Sequence, residues 1–159
     1  MLKNLTTEIR WAFIFSALTI LWMAIEKSLG YHGENIAGYH KFTFLFIPVT
    51  FLIYFLALRN TRNNRGGITT YKESLVSGML ISIFIAILAP VTQMIIHNYV
   101  TPDFLSNLSH YAVSVDGIDA DEADSFFTVS NYMKQTAIRA PITGTVITLL
   151  LSLIIRNDQ

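Results

Sequence analysis

Glu26, Gln93, His97 and Arg139 are the side chains here whose chemistry is hardest to place, because each interrupts or borders a strongly apolar run. A carboxylate, an imidazole and a guanidinium at one depth of a membrane could form an ion pair, move a proton, or hold an anionic head group. Gln93 and His97 are four residues apart and therefore share a helix face. Arg139 shares its face with Gln135 and Thr143. An ion in an apolar slab costs several kcal/mol unless it is paired, hydrated or able to reach the interface. Pairing is the natural solution, so Glu26 is expected to meet Arg139, with Gln93 and His97 completing an outer-leaflet polar cluster. Lys27 and Lys41 are expected to snorkel.

The elements that position these groups follow from composition. Of 159 residues, 52% are hydrophobic and only 14% are charged, where a soluble domain carries about a quarter. The charge is missing from four blocks. A spanning helix needs roughly 20 apolar residues, and the spans are expected at about 11–29, 39–58, 75–96 and 137–155. Trp11–Ile25 is too short alone, so the first helix should continue through Glu26 and Lys27 to Leu29, with Gly30 as its cap. The strings "FIFSALTILWMAI" and "TLLLSLII" show no polar face, which argues against a soluble bundle. The expected fold is an all-α integral membrane protein. It forms a single domain over 1–159, a four-helix transmembrane bundle.

Direction comes from the basic residues. Lys3, Arg10, Arg59, Arg62, Arg65, Lys72 and Arg156 fall on one side, whereas Lys27, Lys41, Lys134 and Arg139 share the other with most of the acids. Both termini are therefore expected in the cytoplasm, and the acidic segment 98–136 outside. Within it, "TPDFLSNLSHYAV" can start a helix at Pro102 with Thr101 as cap, and Asp119 with Glu122 fits a second helix start. One or two short amphipathic outer helices are expected between spans three and four. The acids Asp116, Asp119, Asp121, Glu122 and Asp124 lack the Gly and Glu positions of an EF-hand loop, and whether they bind a cation stays open.

Pro48, Pro90 and Pro141 all lie in the outer halves of their spans and are expected to kink them. The outer half should splay into a partly hydrated pocket while the cytoplasmic half packs tightly. Small residues Ser77, Gly78 and Ser82 mark a helix contact on span three.

There is no cysteine, no H-E-x-x-H, no G-x-S-x-G and no phosphate-binding glycine loop. Net charge is zero, and no nucleic-acid motif appears. No cofactor and no metal site is expected.

The strings "ILWMAIEKSLGYHGENIAGYH", "LIYFLALRNTRNN", "GGITTYKESLVSGMLIS" and "ILAPVTQMIIHNYVTPDF", in this order, together with "DADEADSFF", resemble an uncharacterised family of small bacterial membrane proteins. That family is a domain of unknown function with four predicted transmembrane helices. The resemblance runs from about Asn4 to Ile155 and implies four spans in a bacterial inner membrane. It implies no activity and no catalytic residue. The function expected is a small non-catalytic inner-membrane scaffold, assembly or envelope-associated factor, in contact with the bilayer and with a protein partner or a second copy of itself. Two alternatives stay open: an oligomeric transporter or channel subunit with Glu26 as coupling acid, and a membrane enzyme acting on lipid head groups.

Overall fold

A computed structural model of the chain describes residues 5–156; Lys3, one of the basic residues used to set direction, lies outside them. The described residues are helical, with no strand among them. Helix α1 runs Thr6–Ser28, α2 Tyr39–Thr43, α3 Phe46–Asn64, α4 Tyr71–Ile95, α5 Phe104–Ser114, α6 Ala120–Phe126 and α7 Val129–Ile155. Four runs are long and apolar enough to cross a membrane: Thr6–Ser28, Ile36–Asn64, Tyr71–Val100 and Val129–Ile155. They alternate in direction, so one end of the bundle carries Glu8 and the other Glu26. All four extend past the expected boundaries, because Arg, Lys and Asn at helix ends keep helical geometry while their polar ends reach away from the apolar slab.

The turns follow from glycine. Gly30, at φ 82°, closes α1 in a Schellman motif, with Gly30 N–H on the Lys27 carbonyl and Tyr31 N–H on that of Glu26. Gly66 and Gly67 end α3 likewise, with bonds to Asn63 and Arg62. Thr70 and Glu73 then form a full capping box that starts α4.

Span two is not one continuous α-helix. It breaks at Phe44–Leu45, where Leu45 and Ile47 donate to the carbonyls of Phe42 and Phe44 three residues back. Pro48 sits in the first turn of α3 and would press its ring on the carbonyl of Phe44 if the helix were continuous. Pro90 and Pro141 lie inside α4 and α7.

Helix α4 is the centre of the bundle and packs most extensively on α7, then on α1. The α4–α7 seam is made of small residues. Gly78 faces Thr148, and Gly144 faces Ser82 and the Tyr54 hydroxyl so closely that a Cβ has no room at either position. Ser82 donates to the Gly78 carbonyl at 2.8 Å, so in its 2.8 Å contact with Tyr54 it must accept the tyrosine proton. Apolar packing by Ala12, Ala57, Leu58, Ile81, Ile85 and Ile147 fills the rest of this core.

The segment after α4 departs from expectation in one detail. Thr101 does not cap α5, which starts at Phe104 with Asp103 as an N-cap whose side chain makes no capping bond. Instead, Thr101 N–H reaches the Ile96 carbonyl at 2.8 Å and closes a π-turn over Ile96–Val100. Helix α5 buries Phe104, Leu105, Leu108 and Ala112. Helix α6 is capped by Asp119, whose Oδ1 accepts from Asp121 and Glu122 N–H at 3.0 and 3.3 Å.

Candidate functional site

Two polar centres occupy the Glu26 end. In the first, Glu26 is completely buried. Its Oε1 accepts from Trp22 Nε1 and from Thr43 Oγ1, both at 2.6 Å. Its Oε2 lies 3.1 Å from His32 Nε2. The other ring nitrogen, Nδ1, is 2.9 Å from Thr101 Oγ1. The His32 carbonyl accepts from Asn107 Nδ2 at 2.8 Å, and its ring lies 4.2 Å from that of Phe104. Lys27 Nζ donates to the Val100 carbonyl at 2.7 Å. The end of α1 and the loop after it are thus tied to α2 through the Glu26 carboxylate, to the π-turn through Lys27 and His32, and to α5 through the His32 carbonyl.

The expected Glu26–Arg139 contact is not made. Glu26 finds its counterpart six residues along its own chain, because the left-handed Gly30 turns the backbone and carries His32 back over the helix end. Trp22 precedes Glu26 by one helical turn, a spacing visible in the sequence. Thr43 and Thr101 carried no local signal.

The carboxylate–imidazole–hydroxyl order of Glu26, His32 and Thr101 is that of a hydrolase relay. A nucleophile must meet its substrate, however, and Thr101 is 2% exposed and does not line the cavity described below. These three residues therefore act as a buried clamp.

The second centre is a cavity of about 340 Å³ between α1, α2, α4 with its π-turn, and α7. Gln93, His97 and Arg139 line it, as do His40, Thr43, Tyr39, Tyr132, Gln135 and Thr136; Thr19, Met23, Phe44 and Ile96 complete the wall. Glu26 does not, and no Asp or Glu does. Thr43 joins the two centres, since it lines the cavity while donating to Glu26. Gln93 Nε2 donates to Thr136 Oγ1 at 2.9 Å, which turns Gln93 Oε1 to His97 Nε2 at 3.1 Å. His97 Nε2 must then carry the proton. Its Nδ1 is buried without a partner. Gln93 and His97 are buried, whereas Arg139, His40 and Phe44 are exposed at the rim. Arg139 makes no hydrogen bond or ion pair with another described residue.

A third polar group lies at the opposite end and was not singled out in the sequence. Glu8 is 1% exposed. Its Oε1 accepts from Ser77 Oγ at 2.8 Å and lies 3.6 Å from an Arg65 guanidinium nitrogen, while Oε2 has no partner among the described residues. Glu8 and Glu26 are 18 residues apart, five turns of an ideal helix, and so occupy one face of α1. Among the described residues, no group of three His, Asp or Glu side chains is placed to hold a metal ion.

No curated protein and no solved structure matches the chain. A family match covers residues 10–157, nearly the whole chain. The chain belongs to that family, which is described as "Protein of unknown function (DUF4199)".

Proposed function

We propose that this chain is a non-catalytic, multi-pass protein of the bacterial inner membrane that holds a ligand in the cavity at its Glu26 end. In this reading the Glu26 end, with α5 and α6, faces the periplasm and both termini face the cytoplasm. The charge distribution supports that direction. Arg59, Arg62 and Arg65 cluster at the Glu8 end, as cytoplasmic loops require. The bacterial inner membrane rests on the family resemblance.

The observation that carries the binding role is the construction of the cavity floor. Thr136, Gln93 and His97 are locked in a directed hydrogen-bond chain. A few fixed polar groups in an otherwise apolar recess are the general form of a ligand site, and 340 Å³ falls at the small end of the usual range of about 300–1,000 Å³. The one arrangement that resembles a catalytic relay is sealed, which favours binding over conversion. A transporter reading has less support, because the acid proposed for coupling is saturated by three donors and Ile85, Ala89 and the close α4–α7 seam lie between the cavity and the Glu8 end.

The test is native mass spectrometry of gently extracted protein beside the variant Thr136→Trp, whose indole fills the recess. The wild type should retain an added mass that the variant loses. A wild type without added mass, or the same mass on both, would overturn the binding role.

A further inference from the structure

We propose that the group received by this cavity is a phosphate oxyanion, borne by a lipid head group or by a soluble phosphate ester, and that Arg139 is its counter-ion. The inference rests on the binding role proposed above and names the class of ligand.

Arg139 sits in "AIRAPI", an apolar stretch of a helix long enough to span a membrane. It is exposed, permanently charged, and without an acidic partner among the described residues. A guanidinium in such a place, unpaired within the described residues, is stabilised by a counter-ion from outside the protein. The nearest acid the sequence offered cannot serve, because both oxygens of Glu26 are already occupied. With no acid on its wall, the cavity attracts negative charge.

Two further lining groups add hydrogen-bonding capacity near that charge. Gln135 and His40 make no side-chain hydrogen bond with another described residue. Together with the forked donors of Arg139 they offer more bonds than the two oxygens of a carboxylate accept, and a phosphate has the oxygens to take them. His97 Nδ1, a buried acceptor without a donor, suits a hydroxyl on the same ester. The rim favours a lipid as the source. Phe44 is 66% exposed at the mouth, and Ile138 and Ile142 flank Arg139 at 64% and 61%, an apolar surface against which acyl chains would lie while the phosphate turns inward.

The experiment uses full-length protein, stripped of lipid in detergent, with three probes added separately: phosphatidylglycerol, diacylglycerol and glycerol 3-phosphate. Retention is read by native mass spectrometry for the wild type, Arg139→Gln and Arg139→Lys. Unchanged circular dichroism is expected for both variants, because Arg139 makes no hydrogen bond or ion pair with another described residue. The expected result is retention of phosphatidylglycerol but not diacylglycerol, weakened about tenfold or more by Arg139→Gln and less by Arg139→Lys. Retention of glycerol 3-phosphate alone, with the same dependence on Arg139, supports the phosphate assignment and makes the source soluble. Equal retention of diacylglycerol, or binding indifferent to Arg139→Gln, overturns the phosphate assignment while leaving a ligand cavity in place. Retention of none of the three, when protein from native membranes carries another mass, also overturns it. If that native mass is missing too, the binding role falls with it.

Discussion

Glu26 Oε2 and His32 Nε2 lie 3.1 Å apart across the left-handed turn at Gly30. This contact, with the bonds from Trp22 and Thr43, keeps a completely buried carboxylate satisfied at the end of α1. It also leaves Arg139 without a hydrogen-bond or ion-pair partner among the described residues, and the proposed ligand site depends on that.

Replacing Glu26 should therefore destabilise the protein independently of Arg139. Glu26→Ala strands the buried His32 and the half-buried donors of Trp22 and Thr43, and should cost about 3–5 kcal/mol. Glu26→Gln, which keeps an acceptor for Trp22 and Thr43, should cost about 1–3 kcal/mol. Thermal unfolding in detergent checks this. Arg139→Gln should leave Tm of the lipid-stripped protein unchanged and should not rescue Glu26→Gln; rescue in the double variant would mean that the two residues pair after all.

The clamp should also control how α5 docks. Thr101→Val removes the hydroxyl beside His32 Nδ1 and should cost about 1–2 kcal/mol. The effect should be local. Hydrogen exchange of the amides in Phe104–Ser114 should rise, while that of the α4–α7 seam stays at the wild-type rate. Uniform acceleration throughout the bundle would contradict a local clamp.

The small-residue seam makes a separate prediction about overpacking. Gly144→Val would drive its side chain into Ser82 Oγ and the Tyr54 hydroxyl, and Gly78→Val into Thr148. Each should cost about 1–3 kcal/mol or more, seen as lower Tm and lower yield of folded protein. Ile142→Val, at an exposed position on the same helix as Gly144, should have little effect, which separates packing from any general intolerance of α7.

Glu8 should behave unlike Glu26 although both are buried acids on one face of α1. Among the described residues its Oε2 has no partner, and the cation it meets, Arg65, is 3.6 Å away and partly exposed. Glu8→Gln removes an incompletely paired buried charge while keeping an acceptor for Ser77, so stability should hold or rise by up to about 1 kcal/mol. Chemical unfolding of the two Gln variants side by side decides this; equal losses would mean that Glu8 is as well satisfied as Glu26.

Much of this architecture was legible in the sequence, for identifiable reasons. Apolar runs show four helices, because a long helix with no polar face has few other places to go. The cap at Gly30 and the start at Asp119 could be read locally, since each depends on a residue type and its near neighbours. The capping box at Thr70 and Glu73 was also there to be read in "TYKE". The partner of Glu26 was not. Depth along a span places Glu26, Gln93, His97 and Arg139 at one level, but not around the bundle, and the rotation of each helix is set by packing. His32 lies beyond the cap at Gly30, and nothing in its neighbours says that the turn brings it back over α1. Thr101 looked like a cap until the π-turn withdrew it into the clamp. Pro48 gave a real signal of disrupted helix, but the disruption falls before it, at Phe44–Leu45, because the ring disturbs the residues that precede it.

The most direct test of the central claim is solid-state NMR of the protein in its own lipids, with ¹⁵N-labelled arginine and dephasing from ³¹P. The spectrum of Arg139→Lys, subtracted from that of the wild type, isolates one guanidinium from the other arginines. Strong ³¹P dephasing of Arg139 nitrogens is expected, as for a guanidinium and a phosphate in hydrogen-bond contact. A difference signal that shows no dephasing would mean that Arg139 has no phosphate partner, and would contradict the account.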